Sequence, residues 1–127
     1  MPKEVKIGII GFGTVGSGVV SCLMENSEVI SRRTGLNPVV AKIADLDLER
    51  DRGVSVKKEI LTNDGFAAIE SADVVVELVG GTTYAKEIIL EALRRGKPVV
   101  TANKALLAEY GEEIFATAEK SKADIYY

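Results

Sequence analysis

Val5-Lys6-Ile7-Gly8-Ile9-Ile10-Gly11-Phe12-Gly13-Thr14-Val15-Gly16 decides how the rest of the sequence is read. Residues 5–10 form a near-continuous apolar run closed by Gly11, the pattern of a parallel strand buried on both faces. The next six residues fit G-x-G-x-x-G. That string alone is common. Placed directly after a buried strand and at the opening of a helix, it has the context in which such glycines serve a dinucleotide. Gly11 allows the tight turn out of the strand. Gly13 lacks a Cβ, so a pyrophosphate can approach the backbone. Gly16 lets the helix lie close on the sheet. The free N–H groups of Thr14 and Val15, with the helix dipole, favour a phosphate there. The plain structural alternative is a glycine-rich turn without a ligand.

Outward from this turn, strand-like and helix-like stretches alternate. From Thr14 to about Ser31, apolar residues recur at helical spacing at Val15, Val19, Cys22, Leu23, Val29 and Ile30. Cys22 is expected to be a small buried hydrophobe in that helix. Gly35-Leu36-Asn37-Pro38 reads as a loop, residues 39–44 as a second strand and residues 47–53 as a charged surface loop. A short strand at 59–61 precedes a helix start at Thr62-Asn63-Asp64. Residues 73–79 form another doubly buried run ending in Gly80-Gly81. Residues 84–95 read as a helix with Ile88, Ile89, Leu90 and Leu93 inward and Gly96 at its C-cap. A strand at 97–101, helices at 104–107 and 112–121 separated by Gly111, and a final strand at 123–127 complete the series. Alternating β and α units imply right-handed crossovers and an α/β, Rossmann-type doubly wound parallel sheet. Residues 1–127 are read as one domain without linker or repeat, and the abrupt last strand as a cut inside a longer protein.

Composition bounds the partners. A net charge of −3 offers no basic face to nucleic acid or to an anionic membrane, and the pairs Lys57-Lys58 and Arg94-Arg95 read as solvated surface. The apolar runs are strand-sized and too short to span a bilayer. Residues 1–6 lack the apolar core of a signal peptide, so cytoplasm is the default location. With no histidine and one cysteine, neither a metal site nor an internal disulfide is expected.

Three further segments carry candidate binding groups. Asp45 follows the second strand, where an acid about 20 residues or more past the glycines holds the adenosine ribose. Asp47 lies close behind. Arg50 and Arg52, the nearest arginines, stand in the loop and not beside Asp45, which favours NAD over NADP. A solvated strand-end aspartate is the alternative. Gly80-Gly81-Thr82-Thr83 ends a buried strand at the carboxyl edge of the sheet, where two glycines let a cofactor come close. Thr83 could equally cap the next helix. Thr101-Ala102-Asn103-Lys104 follows the next strand, and Lys104 could hold a ribose, a carboxamide or an anionic substrate, or simply open a helix at the surface.

Residues 6–16, Asp73-Val74-Val75-Val76-Glu77-Leu78-Val79-Gly80-Gly81, and Gly96-Lys97-Pro98-Val99-Val100-Thr101-Ala102-Asn103-Lys104-Ala105-Leu106-Leu107-Ala108 together resemble the N-terminal cofactor domain of homoserine dehydrogenase. The first segment is shared with many dehydrogenases, whereas the order and spacing of the other two are specific to the family. The resemblance implies that Phe12, Thr14 and Val15 line the pyrophosphate loop and that Lys104 contacts the nicotinamide end. It implies an oxidoreductase that interconverts L-homoserine and L-aspartate 4-semialdehyde with NAD or NADP, feeding threonine, methionine and isoleucine synthesis. It also implies a homo-oligomer.

Tyr84 stands where the family often has proline, and Leu46 where some members carry an arginine. The second departure agrees with Asp45 in favouring NAD. The family's substrate-binding and catalytic residues lie beyond the cofactor domain, so no catalytic residue is expected within this chain, which alone should bind cofactor weakly or not at all. Two other readings share the glycine turn. One is a different NAD(P)-dependent dehydrogenase such as an aspartate dehydrogenase-like enzyme. The other is a non-catalytic NAD(H)-sensing domain.

Overall fold

The computed structural model describes residues 3–47, 53 and 56–127. The expected charged loop at 47–53, with Arg50 and Arg52, falls largely outside the described residues. Six strands form one all-parallel sheet in the order β3-β2-β1-β4-β5-β6. They are β1 (Lys3–Ile10), β2 (Leu36–Ala44), β3 (Leu61–Thr62), β4 (Val74–Glu77), β5 (Val99–Thr101) and β6 (Ile125–Tyr126). The helices are α1 (Thr14–Thr34), α2 (Gly65–Ser71), α3 (Thr83–Arg94) and α4 (Lys104–Ser121).

Handedness decides which face each helix covers. The chain first steps from β1 to β2 and β3, then returns across the sheet to β4, β5 and β6. Right-handed crossovers stepping in opposite directions must lie on opposite faces. Accordingly α1 packs its Val19, Val20 and Leu23 on Ile7, Ile9 and Ile43 of one face. Helices α2, α3 and α4 pack on the other face, where Ile69, Ile88, Ile89, Leu93, Leu106 and Ile114 surround Ile10, Val75 and Val99. The α1 face carries a single helix over six strands. Val100 and Tyr126, which alternate with inward residues of β5 and β6, are 37% and 57% exposed there.

Several elements differ from their sequence reading. The helix α1 extends to Thr34 and closes on Gly35 in the left-handed conformation (φ 73°). Leu36-Asn37-Pro38 belongs to β2 and not to a loop. Pro38 is tolerated because β2 pairs with β3 only at Ile43 and Ala44, leaving an open edge beside it. Residues 58–60 form a 3-10 turn, and the third strand begins at Leu61. The two helices expected around Gly111 are one, α4, kinked at Tyr110 (φ −123°, ψ 16°).

Cys22 is exposed, against the expectation of burial. So is Val15, at 61%. Gly16, Ser17 and Val20 make the buried stripe of α1 instead. A helix of 21 residues over a single sheet face can bury only a narrow stripe, and its apolar residues span more than that stripe.

Lys97, just before β5, is tied to the end of α2. Its Nζ donates to the carbonyls of Ile69 (2.5 Å) and Glu70 (3.0 Å), the last turn of α2. Burial lowers its pKa from 10.5, aided by Arg95 and opposed by Asp73 and Glu70. Because the unfolded chain then binds the proton more tightly, this group's contribution to stability rises with pH as 10.5 is approached. Lys97→Met is expected to lower stability by about 1 kcal/mol at neutral pH through the lost hydrogen bonds. The gap to the unsubstituted chain should widen on moving to alkaline pH. Urea unfolding at several pH values measures both effects.

Candidate functional site

The glycine turn lies where the strand order reverses. From β1 the chain leads to β2 on one side, and β4 lies on the other. The loops after these strands therefore diverge and leave a crevice at the carboxyl edge, the place where such sheets bind ligands. The three motif glycines have different reasons to be there. Gly11 has φ 104°, and a Cβ on it would lie 2.7 Å from the Leu78 carbonyl carbon. A Cβ on Gly16 would lie 2.0 Å from the Gly11 carbonyl oxygen. The fold itself requires both. Gly13 has an ordinary φ of −83° as N-cap of α1, and a Cβ there would meet no atom of the described residues within 4 Å.

The helix that starts at Gly13 suits an anion. Its first turn carries no acidic residue, and Thr14 and Val15 are exposed. The Gly13 carbonyl already accepts from the Ser17 N–H (2.9 Å) and hydroxyl (2.7 Å), which steadies the turn from behind. Phe12 points its ring into the core at 3% exposure, so only its backbone serves the turn.

Asp45 stands at the end of β2 as expected. Its Oδ2 accepts from the Phe12 N–H at 2.7 Å, and its Oδ1 accepts from the Asp47 N–H at 2.9 Å. The carboxylate thus ties the end of β2 to the glycine turn. A carboxylate offers about four acceptor positions, more than these two bonds use by themselves. Asp45 also lines a cavity of about 600 Å³ with Gly11, Gly13, Leu46, Asn63, Val79 and Tyr84. Asn63 and Tyr84 were not among the expected site residues. Tyr84 holds its place by accepting the Gly65 N–H on its hydroxyl (3.2 Å). Only a contact between residues 19 positions apart brings it there, and no local pattern announces it.

On the other side of the turn lies a cavity of about 210 Å³ lined by Val15, Glu77, Leu78, Gly80, Ala102, Asn103 and Lys104. Here the structure brings together the Gly80-Gly81 and Asn103-Lys104 segments. Asn103 caps α4, its side chain accepting from the Leu106 N–H (3.0 Å), and its Nδ2 donates to the Gly81 carbonyl (2.5 Å). Lys104 is exposed at the rim. Thr101 is buried at 3% and faces Glu77 behind the cavity. Thr82 is the N-cap of α3 without a side-chain capping bond, and it borders a separate cavity between α3 and α4. Thr83 is the first residue of α3 and not its cap.

Glu77 is the residue that sequence reasoning passed over. It is fully buried at the end of β4. A single acid closing an otherwise all-valine strand was the available signal. A larger cavity, about 800 Å³ between α1 and β2, lies away from this edge. Its lining is mainly apolar, with Val20, Leu23, Met24, Pro38 and Val40 among its residues, and its polar members are Ser27, Asn37 and Lys57. The carboxyl edge, where glycines, Asp45, Asn103 and Lys104 converge, is the site the chemistry supports.

Residues 11–127 match the family described as "Homoserine dehydrogenase, NAD binding domain". The chain is 39% identical to a homoserine dehydrogenase of Bacillus subtilis (strain 168), over 98% of this chain and 29% of that protein. Its fold superposes on a crystal structure of S. aureus homoserine dehydrogenase with a TM-score of 0.91 at 31% identity, covering 100% of this chain and 32% of that one. A hyperthermophilic archaeal homoserine dehydrogenase in complex with NADPH is similar over 98% of this chain and 43% of that one, with a TM-score of 0.73 at 26% identity. The chain therefore spans less than a third of the B. subtilis relative's length.

Proposed function

This chain belongs to the homoserine dehydrogenase family through its NAD-binding domain, and on that premise we propose that it holds a nicotinamide dinucleotide by its pyrophosphate at the Gly11–Gly16 turn. In this reading it is the cofactor portion of an enzyme that interconverts L-homoserine and L-aspartate 4-semialdehyde. The observation that carries it is Gly13. Among the described residues nothing requires glycine there, since its φ is ordinary and a Cβ would meet none of their atoms within 4 Å. A pyrophosphate lying against the backbone supplies the missing reason.

The residues have separable tasks. The N–H groups at the start of α1 bind the phosphate oxygens with the positive end of the helix dipole. Asp45 accepts from the adenosine ribose hydroxyls. Its charge repels a 2′-phosphate, which favours NAD over NADP. Gly80, Gly81, Asn103 and Lys104 receive the nicotinamide-side ribose and ring. A bound nicotinamide supplies the hydride chemistry. No residue of this chain is assigned the substrate's proton transfer. The family match favours this reading over an aspartate dehydrogenase-like enzyme, and the archaeal relative's NADPH supports a nicotinamide cofactor without deciding its 2′ group.

The test combines binding and turnover. Titrated with each reduced cofactor, the protein at its full natural length should bind NADH about tenfold more tightly than NADPH, the difference one repelled charge makes at a partly exposed site. The protein at its full natural length, given L-homoserine and NAD, should generate the absorbance of reduced nicotinamide. Binding of neither cofactor would overturn the cofactor reading. Binding without turnover on homoserine would overturn only the substrate.

A further inference from the structure

Glu77 poses a physical question that the cofactor contacts do not answer. Its carboxylate is 0% exposed, and among the described residues no ammonium or guanidinium pairs with it. A carboxylate buried among neutral donors is costly, and an apolar pair of similar volume would often serve stability as well or better. The neighbours of Glu77 suggest what it does instead. Its Oε2 accepts from the Val79 N–H at 2.8 Å, and its Oε1 accepts from the Thr101 hydroxyl at 2.6 Å. The same Thr101 oxygen accepts from the Asn103 N–H at 3.0 Å. Asn103 then reaches back to the Gly81 carbonyl.

These bonds close a ring across two loops. One loop carries Gly80 and Gly81, both at positive φ (80° and 73°), a backbone that can rearrange easily unless it is held. Glu77 holds its start at Val79, and Asn103 holds its end at Gly81. Thr101 couples the two anchors. Both loops line the 210 Å³ cavity that ends at Lys104. Asp45 takes the adenosine end on the β2 side, so the remaining half of a dinucleotide must cross the glycine turn toward β4 and β5, where this cavity lies.

We infer that Glu77 is a positioning residue for the nicotinamide half of the cofactor. Its buried carboxylate sets the spacing of the Val79–Gly81 turn and the Thr101–Lys104 segment, acting through the Val79 N–H and the Thr101 hydroxyl. The inference rests on the cofactor reading above. It goes beyond that reading by giving the two sides of the site independent supports: Asp45 for one, Glu77 for the other.

Glu77→Gln tests it with little change of shape. An amide has one acceptor oxygen and one donor nitrogen. If the nitrogen faces Val79, two donors oppose each other. If it faces Thr101, the hydroxyl proton, already displaced by the bond from Asn103, loses its acceptor. The probes are NADH and ADP, titrated by calorimetry into the protein at its full natural length up to millimolar concentration. ADP carries the adenosine and pyrophosphate but nothing that reaches the cavity of Gly80, Asn103 and Lys104.

The variant should bind NADH about tenfold more weakly, the effect of one broken hydrogen bond, while ADP affinity changes by less than about twofold. A general loss of structure would weaken both probes alike, and that outcome, or no change in either, overturns the inference. If circular dichroism shows Glu77→Gln unfolded, Thr101→Val carries the same comparison, since it keeps the branched shape and drops the hydroxyl. Failure of the unsubstituted chain to bind NADH would overturn the cofactor reading itself and this inference with it.

Discussion

Alanine at position 13 is expected to cost the chain its dinucleotide and leave its fold intact. The backbone at Gly13 (φ −83°) is open to any residue, and the added Cβ finds no atom of the described residues within 4 Å. As an N-cap, glycine is clearly better than alanine, so the substitution should cost about 1 kcal/mol of stability, too little to unfold the domain. The methyl group would instead occupy the space through which a phosphate reaches the N–H groups of the first turn. Each hydrogen bond from a backbone N–H to a charged group contributes about 1.5–3 kcal/mol, so NADH affinity should fall about a hundredfold. Calorimetric titration with NADH and a thermal melt of the same sample measure both halves. Unchanged NADH affinity in Gly13→Ala would remove the observation on which the cofactor reading rests.

The reverse outcome is expected three residues on. In Gly16→Ala the new Cβ would stand 2.0 Å from the Gly11 carbonyl oxygen and 3.0 Å from its carbon. Both belong to the backbone of the turn, and neither can rotate away as a side chain would. The start of α1 would have to lift off β1, disturbing the packing of Val20 on Ile9 and Ile43. Overpacking of this kind costs about 3 kcal/mol or more. That is a large share of the roughly 5–15 kcal/mol that holds a domain folded. Urea unfolding should show a much lower midpoint, and NADH binding should fail because the turn itself is lost. The two substitutions add the same methyl group to the same motif. Their opposite consequences would separate what the ligand asks of the sequence from what the fold asks of it.

The glycine motif was legible because its demands are local. A turn out of a strand, a helix beginning two residues later and a close crossing are all set within six residues, and the structure places Gly11, Gly13 and Gly16 in that arrangement. The strands were legible for a related reason. A parallel strand covered on both faces must be apolar at nearly every position, which marks residues 5–10 and 74–76 without reference to their neighbours. Asp64 as cap of α2 could likewise be read from sequence, since its side chain accepts from the Phe66 N–H two residues on.

Burial on α1 was less legible. Helical spacing identifies an apolar face but not how much of it a partner covers, so Cys22 and Val15 were misjudged or left open until one helix was seen alone on its side of the sheet. The place of Asp45 at the end of β2 was legible from position, but its bond to the Phe12 N–H, 33 residues away, was not visible in the chain. Glu77 and Thr101 lie 24 residues apart and meet only because β4 and β5 pair in register at Glu77 and Thr101. Thus the sequence by itself determined the alternation of strands and helices, the glycine turn and the order of the segments that meet at the carboxyl edge, because each follows from periodicity or from the steric limits of a few adjacent residues. The tertiary structure alone decided which polar groups bond to one another across the carboxyl edge, because a hydrogen bond between neighbouring strands depends on register, and register belongs to the sheet and to no single segment.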